Sequence, residues 1–289
     1  MKGKIEKRIL GKTGEKISII GFGGIVVDKA TTEEATSRVK EAIDYGINYF
    51  DVSPLYGNAE EMLGPALKPY RKEVFLACKT KERKKEGARR DLEQSLKNLE
   101  TDHFDLYQFH EVASLEDVET IFAPGGAMET FMEARKEGKI RYIGFSAHSV
   151  EAAMALMEGF EFDTILFPFS YTSWYAGNFG PQVMARAREK EMGILALKSM
   201  AWKPWEKDEV RTSDKTWYKP YFSKEEAGLG LRFTLSQPVT AAIPPGQEEL
   251  FSMALELARD FHPMNEEEML VMKEKALKTE PIFRHPMHG

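Results

Sequence analysis

Short runs of branched and aromatic residues alternate along this 289-residue chain with longer stretches whose apolar positions return every three or four residues. Eight runs have strand character: residues 18–22, 49–53, 74–80, 105–110, 142–146, 164–170, 193–199 and 240–244. Each is followed by a helical candidate. Thr31-Thr32-Glu33-Glu34 carries helix-start chemistry, with Ala35, Val39, Ala42 and Ile43 on one stripe behind it. Leu92, Leu96 and Leu99 repeat at helical spacing while Arg89, Arg90, Glu93 and Lys97 take the wet face, and Leu250, Ala254, Leu257 and Ala258 repeat the pattern later. Gly46 and Gly138 stand where helices stop.

Alternating strands and helices give either an open doubly wound sheet or a closed barrel. Eight units in one unbroken series favour the barrel. The expectation is an α/β fold, a (β/α)8 TIM barrel with residues 1–289 forming one domain. A short N-terminal β-hairpin at 9–17 plugs the floor, a long loop at 200–222 follows the seventh strand, and an extra helix closes the C-terminus. That loop is rich in rings (Trp202, Trp205, Trp217 and Tyr218), which reads either as packing on the outer helices or as a cover over the site.

Composition narrows the classes of function. A net charge of −6 and a pI near 5.7 speak against nucleic-acid and anionic-membrane partners. With Cys78 as the one cysteine, a disulfide framework, a Cys-rich zinc site and an iron–sulfur cluster drop out. Residues 1–10 are basic without an apolar segment behind them, and the apolar run at 17–27 is too short to span a bilayer, so the expected location is the cytoplasm.

Chemistry in such a barrel gathers at the C-terminal ends of the strands. There the second strand ends at Asp51 and opens into Val52-Ser53-Pro54-Leu55-Tyr56, the third ends with Lys79 and the fourth with His110. Taken singly, Asp51 caps a turn, Tyr56 packs, Lys79 snorkels to solvent and His110 is structural. Taken together at neighbouring strand ends they make a site for proton transfer to a carbonyl oxygen. A tyrosine, with a pKa near 10, serves there only if a cation stabilises its phenolate. Lys79 would supply the cation, Asp51 would hold it, and His110 would orient the substrate oxygen.

These pieces resemble the signatures of the aldo-keto reductases: Arg8-Ile-Leu-Gly-Lys-Thr-Gly, Ile20-Gly-Phe-Gly-Gly, Tyr49-Phe-Asp-Val-Ser-Pro-Leu-Tyr-Gly, Cys78-Lys-Thr, Tyr107-Gln-Phe-His and Ile143-Gly-Phe-Ser. The resemblance runs to about Ile243-Pro-Pro-Gly. It implies a catalytic tetrad of Asp51, Tyr56, Lys79 and His110, with Tyr56 as the general acid–base. It also implies NADP or NAD as cofactor, NADP being the family's commoner choice, and a small-molecule carbonyl substrate; the oligomeric state stays open.

The cofactor side follows the family less closely. Its Ser-Asn pair reads Ser146-Ala147-His148 here, and the sixth strand end, residues 166–170, lacks the usual Gln. Leu197, Lys198 and Ser199 occupy the strand-seven end, where the family presents a ring beneath the nicotinamide. Gly23, Gly24 and Asp51 are further cofactor candidates, and Gly246 and Gln247 offer helix-start amides to a phosphate. No basic residue follows them before Arg259, which predicts weak discrimination for NADP over NAD. Trp217 and Tyr218 are the substrate-pocket candidates.

The remaining patterns carry less. Gly21-Phe-Gly-Gly-Ile-Val26 is not a dinucleotide fingerprint, because Val26 stands at its last position. His285 and His288 lie in a proline-containing tail, and no metal is expected. Cys78 alternates away from Lys79 and packs outward, and 83–90 reads as a solvated helix start. Two other functions compete with a working reductase: a non-catalytic nicotinamide-binding subunit that senses redox state or binds a partner, and a lyase forming a Schiff base on Lys79.

Overall fold

The structure is a computed structural model that describes residues 3–212 and 214–286. The chain opens with a hairpin of β1 (Lys7–Ile9) and β2 (Lys16–Ser18), antiparallel and joined by a tight turn at 11–14. Eight parallel strands follow: β3 (Phe22–Gly23), β4 (Tyr49–Asp51), β5 (Phe75–Thr80), β6 (Phe104–Val112), β7 (Ile140–Ala147), β8 (Thr164–Pro168), β9 (Gly193–Leu197) and, after a second hairpin, β12 (Ala241–Ala242). Each pairs with the next, β12 lies beside β9, and Gly21 N–H donates to the Ala242 carbonyl at 3.0 Å. Ala242 N–H donates in turn to the Ile19 carbonyl at 2.9 Å, and these two bonds close the barrel.

Helices wrap it: α1 (Thr32–Tyr45), α2 (Ala59–Leu67), α3 (Lys85–Asn98), α4 (Leu115–Phe122), α5 (Ala127–Lys136), α6 (Val150–Gly159), α7 (Tyr171–Tyr175), α8 (Pro181–Glu189), α9 (Lys224–Ser236), α10 (Glu248–Arg259) and the extra α11 (Glu266–Leu277). The start of α1 forms the expected box: Thr31 Oγ1 accepts from Glu34 N–H at 3.2 Å and the Glu34 carboxylate accepts from Thr31 N–H at 2.8 Å. Such a cap contributes about 1 kcal/mol. At its other end Gly46, with φ of 93°, accepts the left-handed turn that a side chain would strain.

Strand alternation decides what faces where. Tyr49, Phe75, Ala77, Leu106, Leu166, Leu195 and Ala241 fill the barrel interior, with Leu10 and Ile17 from the first hairpin beneath them as the floor. Phe50, Leu76, Cys78, Tyr107 and Phe109 point outward into the layer under the helices. Continuing the inward column by two residues from Tyr49 and Ala77, and by four from Leu106, brings Asp51, Lys79 and His110 to the mouth of the barrel.

Three expectations need correcting. Residues 18–22 are not one strand: Ser18 completes the floor hairpin, and the barrel strand begins after it. The segment 200–222 is not a bare loop, because β10 (Ala201–Pro204) and β11 (Tyr218–Pro220) pair antiparallel within it. Nor is the run 83–90 wholly solvated. Arg83 tucks its guanidinium against the His110 carbonyl at 2.8 Å and pairs with Asp117 at 3.2 Å.

Candidate active site

Asp51 and Lys79 form an ion pair with their side chains 2% and 1% exposed. The second carboxylate oxygen of Asp51 accepts from Gln108 Nε2 at 2.9 Å and from the Tyr49 hydroxyl at 3.3 Å. A buried ion pair of this kind persists only when its spare lone pairs are satisfied, which Gln108 and Tyr49 do. Burial alone would lower the Lys79 pKa, but Asp51 and Tyr56 outweigh it and hold the ammonium above its ordinary value.

Half-buried Tyr56 lies beside that ammonium, its ring centre 5.3 Å from Lys79 Nζ. Burial pushes the phenol up, Lys79 pulls it down by charge and hydrogen bonding, and the balance stays above the ordinary value. At neutral pH the group is therefore a loaded acid beside a fixed cation.

His110 meets Tyr56 edge-on with ring centres 5.9 Å apart. Its Nδ1 lies 3.0 Å from Ser53 Oγ, and that oxygen also accepts from Leu55 N–H at 3.3 Å. In the tautomer where the Ser53 hydroxyl donates to Nδ1, the ring proton sits on Nε2. Burial first, and then the charge of Lys79, push His110 well below its ordinary pKa, so the ring is neutral. Sequence reasoning missed Ser53 in this role, although the residue stands between Asp51 and Tyr56 in the motif.

A cavity of about 160 Å³ opens above these residues. Of the sequence candidates, Gly23, Asp51, Tyr56, Leu197, Lys198, Trp217, Tyr218 and Gly246 line it. Lys79 and His110 lie behind Asp51 and Tyr56. Ser146 is buried to one side, where its hydroxyl accepts from Glu111 N–H at 3.3 Å. Gly24 and Ser199 are not part of this wall: a side chain at Gly24 would strike Val52 at 2.6 Å, and Ser199 is fully buried near Gly230. Gly23 and Gly246 keep the wall thin, since a Cβ would lie 2.9 Å from Ile243 at one and 2.5 Å from Ile25 at the other.

Dinucleotide-sized pockets run to several hundred Å³, and here residues 215–218 occupy the groove. Lys215 Nζ donates to the Val26 carbonyl at 3.0 Å, Gln247 Nε2 donates to Thr216 Oγ1 at 3.1 Å, and Asp214 pairs with Lys29. The rings divide by position. Trp202 stacks on Tyr221 away from the cavity, whereas Trp217 and Tyr218 roof it.

The groove fits an anionic cofactor. The start of α10 has no side-chain cap, which leaves its first amides unspent, and two cations converge there. Arg38 reaches from α1 to Glu248 and to the Val26 carbonyl at 2.9 Å, and Lys215 reaches from the strap. Neither cation is near Gly246 in sequence, which is why only the fold reveals them. The tail was missed as well: Phe283 packs on His148, Phe179 and Trp217, at 5.4, 4.8 and 5.5 Å between ring centres. His285 pairs with Glu151 at 3.2 Å, His288 lies outside the described residues, and among the described residues no cluster of three metal-ligating side chains occurs. No described helix is long and apolar enough to cross a membrane.

A profile of the aldo/keto reductase family matches residues 19–211. The chain belongs to that family. Among curated proteins it is 35% identical over 161 residues to L-galactose dehydrogenase of Arabidopsis thaliana, a match spanning 50% of this chain and 49% of that one. It is 28% identical over 300 residues to the aldo-keto reductase YhdN of Bacillus subtilis, covering 86% and 88%. The chain thus spans about half the length of the first relative and most of the second. Among solved structures, an aldo/keto reductase from Klebsiella pneumoniae in complex with NADP and acetate superposes with a TM-score of 0.72 at 20% identity, covering 98% of both chains. The family is one of NAD(P)H-dependent oxidoreductases.

The buried histidines set an acid limit on this aldo/keto reductase. His110 is depressed well below 6.5, and His148, desolvated and close to Lys198, is lowered to about 4. As pH falls through about 6.5 the unfolded chain binds protons that the native state refuses, so stability present above that pH is progressively lost. Calorimetry is expected to show Tm falling from pH 6.5 towards 4.5, with a shallower fall in His148→Asn. An unchanged slope in the variant would contradict the assignment.

Proposed function

We propose that this chain is an NAD(P)H-dependent carbonyl reductase, acting in reverse as an alcohol dehydrogenase, with Tyr56 as its general acid–base. The observation that carries the reading is a protonated phenol beside a buried, ion-paired ammonium at the mouth of the barrel. When bound, a reduced nicotinamide supplies hydride to the carbonyl carbon. Tyr56 delivers the proton to the carbonyl oxygen, and Lys79 stabilises the phenolate that remains. Asp51 fixes Lys79, and His110 offers its Nε2–H to the same oxygen. Gly23, Leu197, Ser146 and the α10 start at Gln247 would hold the cofactor, and the strap at 214–218 would part to admit it and close over it.

The competing functions fit less well. A Schiff base requires a neutral amine, whereas Lys79 is held protonated by Asp51. A non-catalytic nicotinamide-binding subunit does not call for two buried opposite charges beside a phenol, since an apolar pair fills the same space at lower desolvation cost.

For the cofactor we propose NADP, held at its additional phosphate by Arg38 and Lys215 at the start of α10. This replaces the weak discrimination expected from the absence of nearby basic residues in sequence. Arg38→Ala is expected to weaken NADPH by about tenfold, roughly 1.4 kcal/mol, with a much smaller change for NADH. Fluorescence titration with both cofactors checks it, and equal losses would place that phosphate elsewhere. The reductase reading itself is tested by aldehyde-dependent oxidation of NADPH.

A further inference from the structure

We infer that Lys198 is a specificity-determining residue that receives a carboxylate on the carbonyl substrate. The inference rests on the reductase reading above and names its substrate class.

Lys198 follows the last residue of β9 and takes φ of 65°, in the left-handed region that side-chain-bearing residues avoid. Glu111, next to His110, does the same at 52°. Both side chains line the cavity that Tyr56 lines. These two backbone conformations, one just past β9 and one beside His110 near the end of β6, bring charged groups to one space.

The charges there do not cancel. Lys79 is paired with Asp51, Lys81 with Glu111 at 3.0 Å, and Arg83 with Asp117 at 3.2 Å. Among the described residues no carboxylate comes within 4.0 Å of Lys198 Nζ. The ammonium instead rests over the rings of Tyr218 and Trp217, at 4.9 and 5.5 Å from their centres. Cation–π contact holds such a group while leaving its hydrogen-bond donors unspent. Close to it in charge, the neutral His148 keeps a buried Nε2 without a hydrogen-bond partner, under Phe283. The polar end of the pocket therefore offers one unspent cation. Glu111, which lines the same cavity, has its charge answered by Lys81. A carboxylate meets this set by charge, and the aromatic roof strengthens the attraction by excluding water. Burial, opposed by Glu111, lowers the Lys198 pKa to about 8, which gives the preference for an acid an upper pH limit.

The test compares 4-carboxybenzaldehyde with its methyl ester, methyl 4-formylbenzoate, using NADPH and the wild type, Lys198→Met and Lys198→Arg. Wild type should favour the acid at least tenfold in kcat/KM, through KM, and the preference should decline above pH 8. Lys198→Met should lower the acid-to-ester ratio at least tenfold, and Lys198→Arg should keep most of it. Binding of benzoate, followed by tryptophan emission, gives a readout that needs no turnover: wild type should bind it and Lys198→Met should lose it. A wild type indifferent to the acid, or a variant losing both aldehydes equally along with NADPH affinity, would overturn the inference. Benzoate binding that depends on Lys198 without reduction of either aldehyde would count against the reductase reading and leave the anion site standing.

Discussion

Tyr56→Phe is expected to lower kcat for carbonyl reduction by about 10²-fold or more, the usual worth of a positioned proton donor. The substitution removes one oxygen and leaves the ring, so its edge contact with His110 and its position over Lys79 persist. Cofactor affinity should change little, and the melting temperature should stay close to that of wild type. Residual turnover reflects hydride transfer with His110 as the remaining hydrogen-bond donor. Single-turnover kinetics check the step itself, and a Phe variant with wild-type single-turnover rates would remove Tyr56 from the chemistry.

A second large effect is expected at Lys79, in stability as well as rate. Lys79→Met leaves the Asp51 carboxylate buried with only Gln108 and Tyr49 to answer it. Breaking a buried pair from one side costs about 3–5 kcal/mol. Activity should fall with it, and the pH profile for alcohol oxidation should move upwards, because the phenolate of Tyr56 loses the charge that favours it. The double variant Asp51→Asn, Lys79→Met removes the orphaned charge, and Asn can still accept from Gln108. It should recover most of the melting temperature and none of the activity. Denaturation and rate measurements on the three proteins separate packing from chemistry. A single variant as stable and as active as wild type would contradict the proposed pair.

Much of this was legible in sequence because two periodicities are independent of partners. Alternation along 75–80 puts Phe75, Ala77 and Lys79 on one face whatever surrounds them, and the same rule selects Asp51 and His110. The floor hairpin was harder to separate from the first barrel strand, since 16–23 runs on without a charged or proline break after Lys16. Within 200–222 the paired strands are three and four residues long, too short for alternation to register. Arg38, Lys215, Glu111 and Phe283 reach the site from α1, the strap, the end of β6 and the tail. Their convergence comes from barrel closure and side-chain reach, which no local window of sequence contains.

The central claim is tested most directly by the near-ultraviolet absorbance of NADPH in the presence of a panel of aliphatic, aromatic and carboxylated aldehydes, with wild type and Tyr56→Phe in parallel. The account predicts an aldehyde-dependent decrease with wild type that is at least about 10²-fold slower with the variant. Tight NADPH binding with no oxidation by any aldehyde, or equal rates for the two proteins, would contradict it.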